Sequence, residues 1–180
     1  MRTPPTYIEL YPLALQHYVA GRILALQTQI HVAGNILHHA VELFLKAELS
    51  GEVTIKKLRN KYAHNLTKLW ATYSTLHTDV PDDFAATIAD IDSFEEIRYP
   101  SPEVETVGYH YSLFKDPNGR RMGSPCAYSL NLECIDELIA FMISKSPMKS
   151  YYLGQVKQLP QFSVRAIFEN NKHHPSLDAV

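Results

Sequence analysis

An arginine, an asparagine directly after it and a histidine five positions beyond the arginine make up the stretch "RNKYAH": Arg59, Asn60 and His64. An imidazole titrates near neutrality, so it can take the proton from a ribose 2′-hydroxyl or protonate a leaving 5′-oxygen. A guanidinium can stabilise the charge that develops on phosphorus. The pair Arg59 and His64 is therefore a candidate for metal-independent RNA cleavage, with a 2′,3′-cyclic phosphate as product. Lys56, Lys57 and Lys61 add local attraction for a phosphate backbone. With seven arginines and nine histidines in the chain, about one such spacing arises by chance. The alternative is a solvated basic loop leading into a helix, with His64 packing across a bundle. In one continuous helix, residues five apart diverge by about 140° around the axis. The two side chains then meet only if a loop intervenes near Arg59, or if a second subunit supplies one of them.

A second polar group lies in "HHAVELFLK". Glu42 and Lys46 stand four apart and can pair on one helix face. They read either as an exposed ion pair or as part of a polar cluster with His64 and Arg98. His38 and His39 precede Glu42 by four and three residues, so either histidine with Glu42 offers two metal ligands. Di-metal bundles repeat such a motif on several helices, in the order Glu then His. No second copy exists in this chain, so no metal and no cofactor are expected. Cys126 and Cys134 match neither a zinc pattern nor a disulfide framework. Cys134 falls at an apolar register, which places it in the core. Neither a Walker-type nor a dinucleotide-type glycine loop is present, which excludes a P-loop enzyme. Tyr109, Tyr111 and Phe114 can stack on bases, but such residues more often pack a small sheet onto its neighbour.

The elements that must hold these residues come from periodicity. The chain has 180 residues, 46% of them apolar, which supports one domain with a core. Its net charge of −2 lacks the basic footprint of a dedicated DNA-binding domain. No apolar run reaches membrane-spanning length, and the N-terminus has no signal-peptide pattern, so a cytoplasmic chain with no membrane contact is expected.

A first helix runs through Leu15, Tyr18, Val19, Arg22, Ile23 and Leu26, where Gly21 either weakens it or lets another helix come close. The second helix carries an apolar stripe of Val32, Ile36, Leu37, Ala40, Val41, Phe44 and Leu45, with His38, Glu42 and Lys46 on the opposite side. Asn65 caps a third helix, and Pro81 opens a fourth in which Phe84, Ile88, Ile91 and Phe94 face inward. Alternating aromatics around "DPNG" read as a β-hairpin excursion over residues 103–130. Asn131 then caps a fifth helix, and Phe162 to Phe168 have β-like character. The expected architecture is an all-α, four- or five-helix up-and-down bundle over residues 1–147, with the hairpin inserted before the last helix. Residues 148–180 form a C-terminal extension.

Three motifs in this order resemble the HEPN domains, small helical bundles of prokaryotes and higher eukaryotes. Ala40, Glu42, Lys46 and Leu49 match the family's second-helix pattern. Ala63, His64, Leu66 and Leu69 match a "G-H-x-L-x-x-L" opening to the third helix, with alanine in place of the glycine. Arg98, Tyr99 and Pro100 match an "R-Y-P" ending to the fourth. The resemblance covers residues 11–146 and implies a homodimer joined through helix faces. It further implies an association with a nucleotidyltransferase partner and membership of a toxin–antitoxin or defence type module. Many members are metal-independent ribonucleases with Arg and His at the spacing of Arg59 and His64. In those enzymes the motif lies on or near the penultimate helix, whereas here it precedes the third. Other members bind nucleotides or proteins without catalysis. The first expectation is therefore a nucleotide- or partner-binding bundle using Glu42, Lys46, Asn60, Arg98 and Tyr99. The alternatives are an endoribonuclease using Arg59 and His64, acting on RNA, and a purely structural interaction domain.

Overall fold

The computed structural model describes residues 8–77, 79–98, 108–115 and 128–174. Two long helices form its spine. Helix α1 spans Leu10–Leu26 and α2 spans Ile30–Leu49. They approach closely because Gly21 has no side chain: a Cβ there would lie 2.6 Å from Leu37 Cγ. Gly34 does the same for Phe94, whose ring atoms would stand 2.0 Å from an added Cβ.

A short turn of helix α3, Ile55–Lys57, runs directly into a π-helix, Leu58–Tyr62. Helix α4 covers Leu66–Leu76, and α5 covers Phe84–Asp92 and continues as a 3₁₀ helix over Ser93–Arg98. Strands β1, Tyr109–Ser112, and β2, Tyr128–Asn131, precede α6, Leu132–Lys145. Two more helices follow, α7 at Lys149–Lys157 and α8 at Gln161–Phe168.

The caps expected from sequence form. The Asn65 side chain accepts from Lys68 N–H at 2.7 Å, and Asn131 accepts from Cys134 N–H at 2.9 Å. Phe84, Ile88, Ile91 and Phe94 are all buried. From the expected stripe of α2, Leu37, Ala40, Val41, Phe44 and Leu45 are buried, but Val32 is exposed.

Three expectations need correction. The strands do not form a hairpin: β1 and β2 pair in parallel, Tyr109 opposite Tyr128 and Ser112 opposite Asn131. A parallel pair needs a crossover rather than a tight turn, and the chain between Ser112 and Tyr128 is long enough to supply one. The "DPNG" stretch lies outside the described residues. The strands also do not precede the last helix, because α7 and α8 come after α6. Finally, Phe162 to Phe168 is helical rather than β-like. Arg22, buried in α1, donates to the carbonyl oxygens of Ala166 and Glu169 at 2.8 and 2.5 Å, which satisfies the end of α8. Its guanidinium pairs with Asp136 of α6, itself buried and accepting from Tyr18. Tyr152, Leu153, Val156 and Ile167 of the C-terminal segment belong to the same core as α1 and α2.

Candidate functional site

The π-helix decides which way the basic stretch faces. Leu58 and Tyr62 turn inward and are buried, while Arg59, Asn60 and Lys61 are exposed. Helical geometry then stops at Ala63, whose φ of 46° and ψ of −115° are strained for a residue with a Cβ. Asn65 N–H donates to Tyr62 O at 2.9 Å, which closes a turn of type II′ with Ala63 at its first central position. This is the break between Arg59 and His64 that the pair required.

The turn is held from three sides. Lys46 Nζ donates to Ala63 O at 2.7 Å. The His38 ring contacts His64 O through Nε2 at 3.0 Å and Ile91 O through Nδ1 at 3.2 Å. Asp92 at the end of α5 accepts from Leu66 N–H at 2.9 Å and from Thr67 Oγ1 at 2.8 Å, clamping the first turn of α4. Side chains of α2 and α5 thus set the backbone that carries His64.

His38 and Glu42, on the side of α2 opposite its apolar stripe, are both buried, so Glu42 belongs to a polar cluster with His64 rather than to an exposed ion pair. The segment from Ile55 to Asn65 and helix α5 cover that face, through the contacts just given. Glu42 receives hydrogen bonds from His39 Nδ1 at 3.2 Å, from Lys46 Nζ at 2.5 Å and from His64 Nδ1 at 3.1 Å. Burial pushes its pKa up, but these donors outweigh burial and hold the carboxyl at about 2. Burial pushes the His38 pKa down, against its contact with the Ile91 carbonyl and the nearby Glu42 and Glu95 carboxylates. A neutral His38 ring can donate to only one of its two carbonyl partners.

Arg59, Asn60, His64 and Lys46 line a groove of about 510 Å³ together with Leu10, Leu43, Ile55, Leu58 and Ala63. The fold therefore gathers four of the expected site residues in one groove, with Glu42 beneath them. Arg98 ends the 3₁₀ helix, and its side chain lies outside the described residues, as does all of Tyr99. Sequence spacing offers His39 only as a partner for Glu42 along one helix. Its approach to His64 depends on the fold and has no local signal.

The other candidates lie elsewhere. Cys134 is half-buried with its thiol pKa pushed up by burial, unlike an activated nucleophile. Tyr109 stacks on Tyr128 at 5.6 Å and both pack against the core, while Phe114 is exposed. Among the described residues no helix is long and apolar enough to cross a membrane.

Lined by both kinds of residue, the groove can hold a phosphate against cationic groups and an apolar part of the same ligand against Leu10, Leu43, Ile55 and Leu58. His64 is half exposed, at 53%. With Nδ1–H donated to Glu42, its Nε2 carries the lone pair and is the basic nitrogen. Comparison of the chain with models of known protein families, with curated proteins and with solved structures gives no match.

Proposed function

We propose that this chain is a HEPN-type domain that binds RNA in the groove and cleaves it without a metal, using His64 and Arg59. The observation that supports this reading most is the Glu42–His64 pair at the edge of a groove also lined by Arg59, Asn60 and Lys46. A buried carboxylate that fixes one imidazole nitrogen selects the tautomer and orients the other nitrogen for proton transfer. In this mechanism His64 Nε2 takes the proton of the 2′-hydroxyl and the 2′-oxygen attacks phosphorus. The P–O5′ bond breaks and the departing oxygen takes a proton from water. Arg59 and Lys46 stabilise the charge on the phosphoryl oxygens, and Asn60 offers a neutral donor beside them. A homodimer, a nucleotidyltransferase partner and a toxin–antitoxin or defence setting belong to the same proposal.

The test is end-labelled RNA incubated with the chain in EDTA across a pH series. The expected result is cleavage that His64→Ala abolishes and Arg59→Ala slows by about 100-fold or more. Intact RNA with well-folded protein at every pH would rule the reading out.

A second reading is nucleotide binding without turnover. The apolar residues in the groove lining, Leu10, Leu43, Ile55 and Leu58, favour it, since a base can pack on them while its phosphates meet Lys46 and Arg59. A thermal shift with a nucleotide, in a chain that leaves RNA intact, would select it.

A further inference from the structure

Glu42 accepts from two imidazoles that reach it from different directions, while His38 Nε2 stands 3.9 Å away. His39 comes from one turn earlier on α2 and His64 from the strained turn before α4. Oε2 of Glu42 is 3.2 Å from His39 Nδ1 and 3.1 Å from His64 Nδ1. One ligand atom from each of the three residues lies within 4.8 Å of the other two. A tetrahedral zinc ion with bonds of roughly 2.0–2.2 Å keeps its ligand atoms about 3.3 Å apart. The two separations already approach that edge length.

Without a metal, Glu42 needs an N–H from each ring to satisfy this arrangement. A divalent cation replaces both protons with one centre. We propose that His39, Glu42 and His64 bind a divalent transition metal of the zinc class, leaving the remaining position to water from the groove. Two imidazoles and one carboxylate favour zinc, cobalt, nickel or copper over magnesium or calcium. The ligands are oriented in advance. Lys46 occupies the other oxygen of Glu42, and His38 contacts the backbone carbonyl of His64. The His39 side chain is 20% exposed and stands within α2. The Lys46 ammonium is the one opposing charge in contact with the carboxylate among the described residues, and it sits on the oxygen the metal does not use.

If His64 also performs the proposed cleavage, the metal displaces the Nδ1 proton that Glu42 holds, so the metal-loaded and cleaving states are alternatives. That consequence rests on the proposed function; the site itself does not.

The experiment titrates the full chain with Zn²⁺ against a chromophoric chelator and records the Co²⁺ spectrum. The expected result is one ion per chain, a tetrahedral Co²⁺ spectrum, and affinity lowered by about tenfold or more in His39→Ala and in Glu42→Gln. His17→Ala, whose ring lies 6.0 Å from that of His39 without joining the ligand set, should retain the affinity. Should Glu42→Gln unfold, His39→Ala carries the test. Absence of a stoichiometric site, or affinity that His39→Ala leaves unaltered, would overturn the proposal. The readout involves no RNA, so its failure is distinct from failure of the cleavage reading.

Discussion

His64 Nδ1 donates to Glu42 Oε2 across 3.1 Å, and Glu42 is only 4% exposed. A surface imidazole is thus anchored to a carboxylate that has left water behind. Three donors to that carboxylate compensate its desolvation, and each also fixes a neighbour.

Replacing Glu42 by Gln keeps the shape and removes the charge. RNA cleavage should fall by about 10- to 100-fold, because His64 loses the anion that selects its tautomer. The fold should also lose about 1–3 kcal/mol, since Lys46 keeps a charge without its partner. Cleavage rates and urea unfolding of the variant check both. Unchanged cleavage in a folded variant would detach Glu42 from the chemistry.

Ala63 occupies backbone space that suits glycine, with φ 46°. Ala63→Gly should stabilise the chain by about 1 kcal/mol, through relief of strain that exceeds the added chain entropy. Ala63→Val should destabilise it. Thermal melts of the two variants should move in opposite directions, and movement in the same direction would contradict the turn geometry.

Much of the helical frame was legible in the chain. Asn65 and Asn131 cap the helices expected of them, and the Phe84–Ile88–Ile91–Phe94 face is buried as its spacing predicts. Periodicity leaves Glu42 open between an exposed ion pair and a polar cluster. The packing of residues 55–65 and of α5 over α2 decides for the cluster. The strand pair differs from the expected hairpin for another reason: turn residues announce a bend, but they do not fix the direction in which the second strand passes the first. At α8, β-favouring side chains yield to Arg22, which reaches the helix end from α1. For the site, Arg59, Asn60, Lys46 and His64 were nameable from sequence. Their shared groove depended on a π-helix and a strained alanine that local patterns do not signal.

Gly34 tests the close approach of α2 to the 3₁₀ helix. Gly34→Ala places a Cβ 2.0 Å from the Phe94 ring, which is fully buried and cannot swing into solvent. Stability should fall by about 1–3 kcal/mol, and a double variant with Phe94→Leu should recover part of that loss. Denaturant midpoints of the single and double variants decide it. A neutral single variant would contradict the packing.

Glu133 sets a limb of the acid profile. It accepts from Lys172 Nζ at 2.6 Å, Lys115 N–H at 2.7 Å and His173 Nε2 at 3.1 Å. Burial raises its pKa, but these donors prevail and bring it from the ordinary 4.5 to about 2. The folded value lies below the unfolded one. Its contribution is therefore complete above about pH 4.5 and is lost as pH falls toward 2. The stability gap between wild type and Glu133→Gln, from urea midpoints, should be widest near neutrality and shrink toward pH 2. A gap independent of pH would contradict the ion cluster.

The central claim is that Arg59 and His64 cut a phosphodiester by attack of the neighbouring 2′-oxygen. Mass spectrometry of the RNA fragments released in EDTA tests it most directly. The account predicts 2′,3′-cyclic phosphate ends paired with 5′-hydroxyl ends, and no cleavage of a substrate with 2′-deoxyribose at the cut site. Fragments with 5′-phosphate ends, or cleavage that persists in His64→Ala, would contradict it.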